Sequence, residues 1–226
     1  EIMSKPILEI VHKQFPKISK PFPAIPELSL LVEFTTTSEL DLNIDDTGET
    51  IFQNKIINVM SHLIENNLID DAVISQSDHQ NKELWEIREN ANIAQMQEGF
   101  QLKLDLSIPI ENMSKFWIET SEELKKKHTE VKICSFGHLG DGNLHYNLMD
   151  EDKNKEYVYK NQTALKELVY KKIKKFNGSF SAEHGIGQLK IEELEKYKDQ
   201  NLLNLMRTIK NSVDPKNILN PGKLFN

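Results

Sequence analysis

The stretch VKICSFGHLGDGNLHYNLM, residues 131–149, limits what this chain can fold into more than any other segment. Two runs suited to strands, 131–136 and 144–149, flank Gly137, Gly140 and Gly142 around an Asp141-Gly142 pair. Asp-Gly between such runs marks a two-residue type I′ turn. That turn predicts the cross-strand pairs Gly140 with Asn143, Leu139 with Leu144, and His138 with His145. Directly paired residues share a sheet face with Cβ atoms about 4.5–5.5 Å apart, close enough for two imidazoles to reach one ion about 2.0–2.1 Å from each nitrogen. Two readings are open: half of a metal site, or polar strand residues beside a tight turn. Three glycines are more than the turn requires, and they allow backbone to approach a ligand closely.

At 226 residues the chain can bury a substantial core without covalent staples. Its one cysteine, Cys134, excludes an internal disulfide, and the apolar strand around it predicts a buried thiol in a reducing compartment. A net charge of −7 and a pI near 5.6 argue against a nucleic-acid partner. The basic runs at 125–127 and 171–175 fall inside helical patterns and read as solvated faces. No apolar run approaches the roughly 18 residues of a spanning helix, and no signal-peptide pattern is present. The reading is a cytoplasmic protein with no transmembrane segment. The sequence starts at Glu1 and not at Met, which fits a piece of a longer polypeptide.

Along the chain, a short helical pattern through Ile7, Ile10 and Val11 runs into Pro16, Pro21, Pro23 and Pro26, so residues 1–27 read as a connector. Strands are expected at 28–37, 72–75 and 101–108. In the last of these, Leu102, Leu104, Leu106 and Ile108 alternate with Gln101, Lys103, Asp105 and Ser107, predicting one core face and one polar face. Helices are expected at 47–67, 81–97, 111–127, 154–176, 189–199 and 202–213, several bounded by Gly, Asn or Pro. This order predicts an α+β, ferredoxin-like antiparallel sheet with helices on one face and a helical C-terminal extension. The other sheet face would be open to a ligand or a domain.

Two histidines leave a catalytic metal short of ligands. Glu183-His184, within SAEHGIG, is the best local source: the carboxylate could ligate while the imidazole stays free as a base. The same residues could equally open a helix, with Glu183 answering its dipole. Arg88, among apolar helix residues, and Lys103, on the polar side of its strand, could together hold a carboxylate.

Five ordered segments then carry a family resemblance: Trp85-Glu86-Ile87-Arg88-Glu89, Lys103-Leu104-Asp105-Leu106-Ser107, the stretch from His138 to His145, Ser181 to Gly187, and Asn220-Pro221-Gly222-Lys223. Together they resemble the FAD-linked oxidase C-terminal region, the family of D-lactate dehydrogenase, the glycolate oxidase flavin subunit and D-2-hydroxyglutarate dehydrogenase. The resemblance implies that His138, His145 and Glu183 ligate a divalent metal, zinc or manganese, and that His184 is the catalytic base. It implies that Arg88, Asn92, Lys103 and Asn147 contact a small 2-hydroxy acid, and that Asn220 and Lys223 lie near FAD. Asn92 stands where the hydroxyglutarate enzymes carry a threonine. The resemblance also implies an N-terminal FAD-binding domain as partner, with no counterpart in these residues. On that reading 28–176 is a substrate-binding cap, 177–226 packs on the FAD domain, and the isolated piece is inactive. The alternative is a noncatalytic metal- or partner-binding ferredoxin-like module.

Overall fold

The computed structural model describes residues 1–46, 48–152 and 155–225. The chain opens with β1 (Ile2–Ser4) and α1 (Lys5–Gln14), where proline in the first turn removes an N–H that would have no helical partner. Next come β2 (Leu28–Leu30) and α2 (Ile51–Glu65), whose Thr50 side chain accepts from the Gln53 N–H. Helices α3 (Asp78–Glu89), capped by Ser77, and α4 (Ala91–Gln97) meet at Asn90. The rest is β3 (Gln101–Leu102), β4 (Asp105–Ser107), α5 (Ile110–Lys127), β5 (Val131–Gly137) and β6 (Asn143–Asp150), then α6 (Tyr157–Lys160), α7 (Gln162–Lys175), α8 (Ile191–Tyr197) and α9 (Gln200–Val213). Lys125, Lys126 and Lys127 end α5, where the helix dipole favours cations.

The strands form one antiparallel sheet in the order β2-β1-β5-β6, with β3 and β4 both pairing with β6. Ser107 bridges to Ser179 beyond α7. The run β4, α5, β5, β6, α7 and the Ser179 bridge is therefore the ferredoxin-like βαββαβ order, extended past β5 by β1 and β2. On one face Leu106, Leu144, Tyr146 and Leu148 pack with Phe116 and Leu124 of α5 and Leu165, Val169 and Ile173 of α7. Leu102, Leu104, Leu106 and Ile108 are all buried, as their alternation predicts.

Several expectations change. Residues 1–27, expected as a connector, place β1 between β2 and β5, and α1 buries Ile7, Leu8, Ile10 and Val11. The face expected open is covered over part of its area: Cys134, Phe136 and Met149 pack with Ile7 and Val11 of α1, Ile87 of α3, and Ala91 and Ala94 of α4. Strand β5 is apolar on both sides, so each side needs a layer against it. The strand expected at 28–37 shortens to Leu28–Leu30, none forms at 72–75, and the helix expected at 81–97 divides at Asn90, whose side chain donates to the Glu86 carbonyl. Thr47, Asn154 and Asn226, at the ends of expected elements, lie outside the described residues.

The hairpin register also differs. The pairs are Phe136 with His145, Ser135 with Tyr146 and Cys134 with Asn147, two residues away from a tight Asp-Gly turn. A 3₁₀ turn at Leu139–Asp141 widens the loop, and Gly142 closes it at φ 76°. Tertiary contact explains the change: the Ile108 N–H donates to the Gly142 carbonyl at 2.9 Å, and a Cβ on Gly142 would lie 2.2 Å from the Ile108 oxygen. A shift of two residues preserves the sheet face, because side chains alternate with a period of two. His138 and His145 thus become diagonal neighbours on the same face.

Candidate active site

One half of the site stands on the sheet, at the end of the face that α1 and α4 leave uncovered. The His138 and His145 rings lie 6.2 Å apart at 74°. Continuing the β1–β5 register past Ile2 and Gly137 sets Glu1 opposite His138. Glu1 Oε1 lies 2.7 Å from His138 Nδ1, and its Oε2 accepts from Arg88 Nε at 2.7 Å. The Arg88 guanidinium sits 4.8 Å from the centre of the Phe136 ring, whose other neighbour is His145 at 5.1 Å.

The other half is a loop at 181–187, held by a side chain the sequence reading left on a polar strand face. Asp105 is 2% exposed, and its Oδ2 accepts the N–H groups of Ala182, Glu183 and His184 at 3.1, 3.0 and 2.9 Å. Burial pushes the Asp105 pKa up, but the His184 and Glu183 N–H donors, with the charges of His184 and Lys190, outweigh it and leave it lowered. Lys190 secures the loop from below, donating to the Phe180 carbonyl and Ser181 Oγ. Folded this way, the loop brings Glu183 to 3.4 Å from His138 Nε2 and 4.0 Å from His145 Nε2. His184 stacks on His145, with centroids 6.1 Å apart, and its Nδ1 is 3.7 Å from Asp105.

The remaining candidates separate into pairs. Lys103 donates to Asn92 Oδ1 at 3.0 Å, whereas Arg88 is bound to Glu1, so the two cations have different partners. Asn147 is buried beneath α4, donating to Gln95 Oε1 at 2.8 Å. Asn220 and Lys223 share a turn, and the Leu224 N–H that follows donates to the Gly187 carbonyl, so the closing motif adjoins the Glu183 loop. Sequence reasoning missed Glu1 and Asp105. For Asp105 a signal existed: aspartate is disfavoured in strands, yet this one stands inside a clean strand alternation.

His138, His145 and Glu183 each offer one atom within 4.8 Å of the others, and Asp105, His145 and His184 form a second such group. An ion bound at about 2.0–2.2 Å sets tetrahedral donors roughly 3.3–3.6 Å apart, close to the Glu183–imidazole distances. Burial lowers the His145 pKa against the raising influence of Glu183 and Asp105, favouring the neutral ring, which has the lone pair a metal needs. Two imidazoles, one carboxylate and an adjacent free histidine make a donor set suited to a divalent ion with an open position.

Residues 1–224 match the profile of the family described as FAD linked oxidases, C-terminal domain. The chain belongs to this family. It is 38% identical over 164 residues to a D-2-hydroxyglutarate dehydrogenase of Xanthomonas citri pv. viticola, covering 72% of this chain and 34% of the relative. It is 34% identical over 185 residues to the mitochondrial D-2-hydroxyglutarate dehydrogenase of Arabidopsis thaliana, covering 80% of this chain and 32% of the relative. A D-2-hydroxyglutarate dehydrogenase of Stutzerimonas stutzeri is 33% identical over 165 residues, 73% of this chain and 35% of its own length. This FAD-linked oxidase C-terminal domain thus spans about a third of the curated relatives it matches. Among the described residues, no helix is long and apolar enough to cross a membrane.

Proposed function

We propose that the chain is the substrate- and metal-binding portion of an FAD-dependent D-2-hydroxyacid dehydrogenase acting on D-lactate, glycolate or D-2-hydroxyglutarate. The observation that carries the proposal is Glu183 lying between His138 and His145, with His184 and Arg88 on either flank. The relatives' names favour the hydroxyglutarate end of that range. Bound at His138, His145 and Glu183, a divalent ion, zinc or manganese, supplies a Lewis acid for the substrate hydroxyl, and a flavin held mainly by an N-terminal domain supplies the hydride acceptor. His184 takes the hydroxyl proton, and Arg88 holds the substrate carboxylate. Lys103 with Asn92 forms a second polar grip, suited to the far end of a longer acid, and Asn147 supports the site from beneath through Gln95.

Within residues 177–226, Ser179 bridges to the sheet at Ser107 and Phe180, Leu194 and Leu203 join the core, and the exposed remainder is the surface for the flavin domain. Leu202, Leu205, Ile209 and Val213 form an exposed apolar stripe on α9, and exposed Ile218 and Leu219 follow it, tied to the helix end by Lys210 and Asp214. Asn220 and Lys223 then lie at the flavin side, next to the Glu183 loop. Burial pushes the Cys134 pKa up to about 12, which makes it an unreactive thiol. With one cysteine and hence no internal disulfide, the chain suits a reducing compartment, and we assign the cytoplasm. The isolated chain is expected to turn over no substrate.

Elemental analysis tests the site directly. The purified chain should carry zinc or manganese, and a variant with both His138→Ala and His145→Ala should lose it; equal metal content rejects the assignment. In the chain joined to its flavin domain, His184→Ala should lower kcat by about 10²–10⁴. Normal turnover would remove His184 as the base.

A further inference from the structure

We infer that Glu1 is a positioning residue, fixing which His138 nitrogen carries its proton and which Arg88 donors face the substrate. Its own placement is set by the backbone. The Glu1 nitrogen donates to the Leu31 carbonyl at 2.8 Å and its carbonyl accepts from the Leu31 N–H at 2.9 Å, so the sheet ladder aims its side chain. Register sets it across from His138, and the carboxylate is only 10% exposed with each oxygen engaged at 2.7 Å.

A carboxylate 2.7 Å from Nδ1 holds the proton on that nitrogen and leaves the Nε2 lone pair for the group that Glu183 approaches. Metal-ligating histidines commonly donate their second N–H to a carboxylate, which orients the ring. Glu1 has that relation to His138. Its second oxygen acts on Arg88. With Nε committed to Glu1 and the guanidinium stacked on Phe136, the two Nη groups are the donors left for a planar carboxylate. The negative charge of Glu1 also offsets Arg88, so that a cation in the substrate grip does not repel a divalent ion nearby.

This inference rests on the metal reading above, and its test separates the two. Zinc ion is titrated calorimetrically into the chain, into Glu1→Gln and into Glu183→Gln, and the His138 Nδ1–H proton is followed by long-range ¹H–¹⁵N correlation in the zinc-loaded samples. The chain should bind zinc and Glu183→Gln should lose most of that binding. Glu1→Gln should bind about 10- to 100-fold more weakly, with Nδ1–H moved upfield of the position a carboxylate acceptor imposes. Unchanged affinity in Glu1→Gln overturns the inference and leaves the metal site standing. So does a weaker affinity or lower urea midpoint with Nδ1–H unmoved, which is the pattern of a purely structural residue. If the chain itself binds no zinc, the metal reading fails and the role of Glu1 fails with it.

Discussion

The two halves of the site are held by different means. His145 stands on β6 and His138 just past the end of β5, so the β5–β6 ladder sets their spacing through many backbone bonds. Glu183 and His184 stand on a loop, and one buried oxygen of Asp105 gathers three of its N–H groups. A ladder loses little when one side chain changes, whereas a loop centred on a single acceptor loses its shape with it.

The largest expected effect follows from that difference. Asp105→Ala removes a charged acceptor from three donors and should lower stability by about 3 kcal/mol in a urea titration. Hydrogen exchange at Ala182, Glu183 and His184 should rise toward that of open chain, while exchange in β5 and β6 stays slow. A wild-type midpoint with protected loop amides would break the comparison.

On the hairpin side, the vulnerable point is backbone. Gly142→Ala places a side chain at φ 76° and 2.2 Å from the Ile108 oxygen, and should cost about 1–3 kcal/mol by the same titration. Gly140 has open space around its Cβ position, so Gly140→Ala should stay within about 0.5 kcal/mol of wild type. Equal costs at the two glycines would mean that the Ile108 contact does not set the corner.

The smallest effect is that of pH on the metal-free chain. Burial lowers the pKa of His12, His128 and His145, so the folded chain binds fewer protons than the unfolded one. Stability should therefore fall as pH drops through the ordinary imidazole value of about 6.5 and level off below the folded values. Asp105 acts with the same sign in a lower window. Its lowered pKa keeps its contribution in place above the ordinary carboxylate range and loses it only as pH falls through the folded value. Urea midpoints between about pH 8 and 2 measure both, and His145→Gln should flatten part of the upper slope.

Much of this was legible because it depends on periodicity. The alternation at 101–108 assigned Leu102, Leu104, Leu106 and Ile108 to the core, and the period of two kept His138 and His145 on one face despite the register change. The SAEHGIG loop was legible as chemistry because acid and histidine are adjacent between glycines. Asp105 was legible only in part: its place in the strand was evident, but its three donors come from residues more than 70 positions away. Glu1 gave no signal, since β1 is three residues long and its partners Arg88 and His138 are distant in the chain.

Sequence by itself determined the hairpin strands and the strand region at 101–107, the helices of the ferredoxin-like unit, the faces of the alternating segments and the residue types gathered in the candidate site. Only the tertiary structure decided the hairpin register, the burial of the second sheet face, and the partners of Arg88, Lys103 and Asp105. The physical reason is range. Side-chain periodicity is written over a few neighbouring residues, whereas the carboxylates that hold this site act across strand pairs and loops that come together only when the sheet closes.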